Sequence, residues 1–325
     1  MARIAWLVVT VVLLAAAQSF AQGDAAANYP NRAVKIIASS PAGGGLDIAT
    51  RVIADRLAKM WGQPFVVENR QGASGNLGAE AVAQAEPDGY TLLSSNSASN
   101  LTVPLVTKNA GYDPVADFSH IVMLTSSPYV LAVYPGLGVK TLAEFVAKAR
   151  AQPLSYTAAN RGGLGNMGGE YFQRLAGISM QHVPYRGGAP AVADVVAGHV
   201  PAIFLPVTTV GEQVRAGKLL ALAITSKTRV AALPNVPTFA ESGYPELVLH
   251  SWFGLSGPKK LSPDIVARIN REARAFLKEP QMKKLADQDA SEPLDADAAG
   301  FTRYVAAEVA RWSEIVRALD IKAEE

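Results

Sequence analysis

The chain has no cysteine in its 325 residues. Disulfides, thiolate metal sites, a cysteine nucleophile and lipid on an N-terminal cysteine are therefore excluded. Histidine is scarce too: His120, His182, His199 and His250 are the four, and none pair at metal-ligand spacing. Neither sign of charge dominates, with 30 Lys and Arg against 28 Asp and Glu, a net +2. Such balance offers no electrostatic footprint for nucleic acid or an anionic membrane. After the first twenty or so residues no apolar run approaches the ~20 needed to span a bilayer.

The chain opens with Arg3, an apolar stretch from Ile4 to Ala17, and Ser19-Phe20-Ala21. A positive end, an apolar centre and small residues at the −3 and −1 places make a secretory signal over residues 1–21, cleaved after Ala21. Removing it takes away one positive charge, Arg3, and leaves about +1 by the same counting. The expected product is exported, with no direct membrane insertion. It must be held by its core alone, and ~300 residues suffice for two domains.

The stretch that organises the rest is Val34-Lys-Ile-Ile-Ala-Ser-Ser-Pro-Ala-Gly-Gly-Gly-Leu-Asp47. It reads as a strand (Val34 to Ala38), a Gly-rich turn (Ser39 to Gly45) and a helix from about Asp47 to Met60, with Ile48, Val52, Ile53, Leu57 and Met60 on its apolar face. Glycines let a ligand approach the main chain, and a helix start presents unpaired N–H groups at the positive end of its dipole. The combination is an anion seat that needs no cationic side chain.

Strand and helix continue to alternate: Phe65 to Glu68, a helix from Ala79, and Tyr90 to Leu93 followed by a polar Ser94–Ser99 loop. Later come Tyr129 to Tyr134, a helix from Leu142, and Leu154 to Ala158. After these Asn160-Arg-Gly-Gly-Leu-Gly-Asn-Met-Gly-Gly169 precedes a helix from Glu170. Strand, Gly-rich turn and helix thus occur twice. Further units are Gln181 to Pro184, a helix from Pro190, Ala202 to Leu205, and Leu219 to Thr225. The tail is helical, opening at Ser262-Pro263, with Phe301, Tyr304, Val305, Trp312, Ile315, Val316 and Leu319 down one face. Two α/β halves, each with one Gly-rich strand-to-helix turn, suggest two lobes facing across a cleft.

Gly163-Leu-Gly-Asn-Met-Gly168 matches a dinucleotide fingerprint, but the following strand, Ile178 to Pro184, lacks the acid that would hold a ribose. The glycines are read as a second anion-cradling turn, and no cofactor or metal is expected. Asp47 serves either ordinary helix-start chemistry or the orientation of the Gly43–Gly45 turn and a polar ligand group. Arg161 is either a solvated charge or a bidentate partner for a carboxylate. Trp252-Phe253 is core, hinge or cleft wall. Serines in Gly72-Ala-Ser-Gly-Asn76 and Gly254-Leu-Ser-Gly-Pro258 miss the last glycine of a nucleophile elbow. The competing enzyme reading is a secreted serine hydrolase using one of Ser94 to Ser99 with a distant histidine.

Several pieces together resemble the periplasmic substrate-binding proteins of tripartite tricarboxylate transporters, the Bug family. They include Pro41-Ala-Gly-Gly-Gly-Leu-Asp47, Val67-Glu-Asn-Arg70, Gly72-Ala-Ser-Gly-Asn-Leu-Gly78 and Pro87-Asp-Gly-Tyr-Thr-Leu-Leu93. Tyr112-Asp-Pro114, His182-Val-Pro-Tyr-Arg-Gly-Gly-Ala-Pro190, Ala216-Gly-Lys-Leu219 and Leu233-Pro-Asn-Val-Pro-Thr238 complete the set. The resemblance implies an α/β fold, a two-domain clamshell with crossing hinge strands and the ligand between domains, with domain I taking 29–127 plus 250–325 and domain II 128–249. It also implies a non-enzymatic, monomeric periplasmic receptor that passes a small organic carboxylate to membrane transporter subunits. A receptor feeding a signalling partner would use the same clamshell. It further implies that Ala42, Gly43, Gly44, Gly45 and Asp47 in one turn, and Asn160, Arg161, Gly162, Gly163 and Asn166 in the other, grip one carboxylate. Ser95, Asn96 and Ser97, with Pro206 after the Phe204 strand, would shape the distal pocket. The chain departs from the family pattern at Ser39-Ser40, Leu46, Gly163, Asn166 and Leu205, losing an aromatic wall, a hydroxyl and an acid.

Overall fold

A computed structural model describes residues 28–40, 42, 43, 45–291, 295–319 and 321. The expected leader (1–21), Pro41 and Gly44 lie outside the described residues. The first strand, β1 (Val34–Ala38), is flanked by β2 (Phe65–Asn69) and β3 (Thr91–Asn96), all parallel. Period-two alternation explains why β1 is apolar almost throughout. Val34 and Ile36 pack under Ile53 and Leu57 of α1 (Gly45–Trp61), while Ile37 packs under Ala79 and Val82 of α2 (Asn76–Ala83).

The two lobes share a strand. β4 (Phe118–Val133) runs antiparallel to β9 (His250–Pro258) from Phe118 to Pro128, and β9 in turn pairs β3. From Tyr129 onward β4 changes partners to β7 (Ala202–Pro206) and β8 (Leu220–Ile224). The changeover falls at Pro128, which has no N–H to give to a ladder. The short α3 (Val103–Val106) precedes β4, and α4 (Leu142–Ala151) follows it, capped by Thr141 Oγ1, which accepts the Glu144 N–H at 3.1 Å. β5 (Leu154–Thr157) joins β7 to β6 (Met180–His182), with α5 (Leu164–Ala176), α6 (Gly188–Val196) and α7 (Val207–Arg215) covering the faces. Leu131 and Val133 serve the core beneath Phe145 and Phe172, while Val130 and Ala132 serve the opposite core with Val195 and Val210.

After β9 come α8 (Pro263–Leu277), α9 (Pro280–Asp289) and α10 (Ala298–Leu319). Ser262 stands at the N-cap of α8, yet its side chain makes no capping bond. Helix α10 straps the lobes together. Phe301 and Val305 pack on Trp252 and Met123 near the first sheet, whereas Trp312 and Val316 enter the second lobe's core with Tyr156 and Phe172.

Three details differ from the sequence expectation. Ser94, Ser95 and Asn96 continue β3 rather than starting a loop, because their polar groups find partners: Thr50 on α1 for Ser94, Ser256 on the neighbouring β9 for Ser95 and Ser39 just after β1 for Asn96. Helix α5 begins at Leu164, six residues earlier than expected, and Gly165, Gly168 and Gly169 lie inside it. They allow the helix to lie flat on the sheet: a Cβ on Gly168 would come within 2.4 Å of Leu249 Cδ2, and one on Gly169 within 2.5 Å of Tyr156 Cε2. On α1, Ile53 and Leu57 are buried but Ile48, Val52 and Met60 are exposed.

Gly165→Ala should lower stability. The new Cβ would meet the Phe204 carbonyl oxygen at 2.8 Å and Tyr129 Cε1 at 2.9 Å, neither the tip of a flexible chain. Overpacking of this kind costs ~1–3 kcal/mol and outweighs the ~1 kcal/mol that alanine gains in a helix. A urea midpoint equal to or above wild type would show that the strand yields.

Candidate functional site

Both Gly-rich turns are closed by the same device. In the first, Asp47 sits in the opening turn of α1 with its side chain 3% exposed. Its Oδ2 accepts the Gly43 N–H and the Arg51 Nε–H, each at 2.9 Å. Its Oδ1 accepts Asn69 Nδ2–H at 2.8 Å, and the same amide donates to Ser40 O at 3.0 Å. The turn between β1 and α1 is thus tied at both ends. The Arg51 contact, then the Gly43 N–H and the Asn69 amide, hold the Asp47 carboxyl down at about 2.

In the second turn Asn166 takes the corresponding place, four residues after the glycine it holds. Its Oδ1 accepts the Gly162 N–H at 3.0 Å, and its Nδ2 donates to Tyr156 Oη at 3.1 Å. Tyr156 donates in turn to Glu170 Oε1 at 3.0 Å. Gly43 and Gly162 have φ of +79° and +68°, a left-handed backbone that favours glycine in both turns. Each closing bond consumes the amide before the helix. The N–H groups of the first helical turn, from Gly45 in α1 and Leu164 in α5, have no intrahelical acceptor.

A cleft of about 1490 Å³ lies between the lobes. Asn160, Arg161, Gly162, Gly163 and Asn166 line it from the second lobe, facing Ser39, Ser40, Gln71 and Asn96 from the first. Ala42, Gly43 and Gly45, exposed on the first turn, are not among its lining residues; Gly45 borders a neighbouring chamber that Pro206 also lines. Asp47 lies behind the turn as its brace. Ser95 and Ser97 are buried away from the cleft, Ser95 beside Ser256 Oγ and Ser97 donating its N–H to Trp252 O. Gly44 lies outside the described residues. Phe253 lines the cleft; Trp252 is core.

Sequence reasoning passed over Glu170, Gln181 and His182, which also line the cleft. Glu170 stands four residues beyond Asn166, a spacing legible only once the helix is known to start at Leu164. The His182 Nε2 accepts the Ala158 N–H at 3.3 Å, so the neutral ring carries its proton on Nδ1. Burial, followed by the charge of Arg161, pulls His182 down to about 4. Arg161 and Glu170 are the only charged side chains among the described lining residues.

The hydrolase reading meets a physical obstacle. Ser256 Oγ is 3.0 Å from both Ser95 Oγ and His120 Nδ1, but all three residues are at most 1% exposed. His120 Nε2 donates to the Pro114 carbonyl at 3.0 Å, and burial holds the ring at about 4. The cluster ties β3, β9 and β4 together where no substrate reaches. No group of three or more metal-binding side chains occurs among the described residues, nor a helix long and apolar enough to cross a membrane.

Asp47→Asn should destabilise the protein by about 2 kcal/mol at pH 7. The folded carboxyl titrates below its unfolded value of about 4. Its contribution is therefore complete above pH 4 and is lost as pH falls toward about 2. Urea midpoints of wild type and variant should converge at pH 3 relative to pH 7; a gap independent of pH would mean the charge is not what braces the turn.

The model of the tripartite tricarboxylate transporter family receptor (TctC) matches residues 49–321. Protein BugT of Bordetella pertussis is 34% identical over 314 residues, covering 96% of each chain. Among solved structures, R. palustris Rpa4515 with adipate superposes with a TM-score of 0.83 at 32% identity, over 91% of this chain and 100% of that one. MatC (Rpa3494) from Rhodopseudomonas palustris with bound malate gives 0.77 at 27% identity, over 89% and 100%. With its paired turns on one cleft, the chain belongs to the receptors of the tripartite tricarboxylate transporters, the Bug family.

Proposed function

We propose that the chain is an exported receptor that captures a small organic carboxylate in this cleft and delivers it to the membrane subunits of a tripartite tricarboxylate transporter. One observation carries the reading: two helices from opposite lobes start beside the same cleft, α1 reaching it at Leu46 and α5 at Gly163, each behind a glycine turn closed by its own helix. Free amides and helix dipoles at both starts favour a single negative group between them. Adipate and malate, bound by the two R. palustris neighbours, are carboxylates of the size concerned.

The two jaws are 29–127 plus 250–325 and 128–249, hinged where β4 and β9 cross. A ligand that touches both jaws favours the closed arrangement by its extra contacts there. The receptor works as a periplasmic monomer after cleavage at Ala21. The sealed Ser95–Ser256–His120 cluster, with its neutral histidine, speaks against a serine nucleophile at that point.

Thermal unfolding against a library of organic acids tests this. A ligand at a hundred times its Kd should stabilise the protein by about 2.7 kcal/mol. No response to any acid, or labelling by a serine-reactive phosphonate, would defeat the proposal. Arg161→Ala, an exposed change, should weaken the best acid by about tenfold or less in calorimetry, because the amides remain. Complete loss would move the grip from backbone to side chain.

A further inference from the structure

Helix α1 has an apolar stripe that the core does not use. Leu46, Ile53, Ala54 and Leu57 are buried, but Ile48 is 56% and Val52 42% exposed. Gly45, Ile48, Ala49 and Val52 follow the i, i+3, i+4, i+7 spacing of one helix face. The face starts at the residue that opens the helix behind the first glycine turn. It then runs about 10 Å along the axis.

This face is one wall of a chamber of about 1180 Å³. Leu124, Leu277 and Met282 line it from the first lobe, and Pro206 and Thr208 from the second. Phe253 lines both this chamber and the polar cleft, and its ring lies 3.8 Å from where a Gly45 Cβ would be. Of the charged groups on the wall, Arg274 and Lys278 are paired with Asp295, and Lys283 and Asp287 also line it. A carboxylate seated at the start of α1 therefore lies where a polar cleft meets the apolar α1 wall of this chamber. Exposed apolar surface continuous with a binding site marks contact with an apolar partner.

Resting on the carboxylate reading above, we propose that the chamber holds the apolar body of the ligand, so that the receptor selects acids bearing an aliphatic chain or aryl ring. The carboxylate would stay on the amides at Gly45 and Leu46, while its carbon skeleton passes Phe253 and lies along Ile48 and Val52. Each methylene taken from water should then tighten binding about fourfold.

The test is calorimetry of straight-chain monocarboxylates, from propionate upward, on wild type and on an Ile48→Ser/Val52→Ser double variant. Both positions are exposed, so the core is not disturbed. Wild type should gain two- to fourfold per methylene; the variant should lose most of that slope. Equal affinity for short and long acids in wild type, or an unchanged slope in the variant, overturns the inference while leaving the carboxylate reading intact. Failure of every acid to bind overturns both. A wild-type dimer in sedimentation that the variant dissociates would instead give the stripe to a second copy of the chain, and overturn it too.

Discussion

The bond that the rest of the site depends on is a backbone N–H held by the side chain four residues further on. Gly43 to Asp47 and Gly162 to Asn166 are the two instances. A helix start attracts an anion only if its amides converge before the anion arrives; otherwise binding must also bear the cost of ordering a floppy glycine loop. Each closing bond fixes a left-handed glycine and aligns the amides behind it. The remoter partners Asn69 and Tyr156 then brace the closing side chains, so that β2 and β5 report directly on the shape of the turns.

Between the turns, the lobes are joined by structure with two different roles. The changeover of β4 partners at Pro128 is a place where pairing is interrupted on one side, which suits a hinge. Helix α10 is the opposite kind of link. Its first half is anchored by Phe301 against Trp252, with rings perpendicular at 5.4 Å, and its second half by Trp312 in the other lobe. A rigid rod with one end in each core limits motion to a rotation about that rod. Large separation of the lobes would expose two buried tryptophans, an expensive outcome at ~25 cal/mol per Å² of apolar surface.

Much of this was legible in the residues, and the exceptions have physical causes. The limits of β1, Val34–Ala38, are plain because a strand covered on both faces must be apolar throughout. Both turns are visible as glycine clusters between a strand and a helix. The start of α5 was not, because Gly165, Gly168 and Gly169 look like a loop until Tyr129, Tyr156, Phe204 and Leu249 are seen pressing on them. Ser94 to Asn96 looked like loop for a related reason: a polar strand is stable only when partners such as Thr50 and Ser256 exist elsewhere in the chain. Periodicity placed Ile48 and Val52 on the apolar arc of α1, but it cannot say which edge of that arc meets the sheet and which is left facing a chamber. The two glycine turns were readable in the same way, whereas Asn69 stood out only within Val67-Glu-Asn-Arg70, with nothing to tie it to Asp47, and Tyr156 carried no signal.

A carboxylate used as the brace of an anion seat needs explaining. At ~6 Å and an effective dielectric of ~20, Asp47 alone would repel a bound anion by about 3 kcal/mol, more than a helix dipole offers. Arg51 removes the difficulty. Its guanidinium holds Asp47 Oδ2 at 2.9 Å and reaches Asn69 as well, making the brace a neutral pair whose field falls away quickly. The second turn reaches neutrality differently, with the uncharged amide of Asn166 as brace. Its nearest acid, Glu170, is engaged by Tyr156, and Arg161 stands exposed on the rim. With side-chain charges balanced on both turns, the backbone amides at each helix start remain as the term that favours an anion.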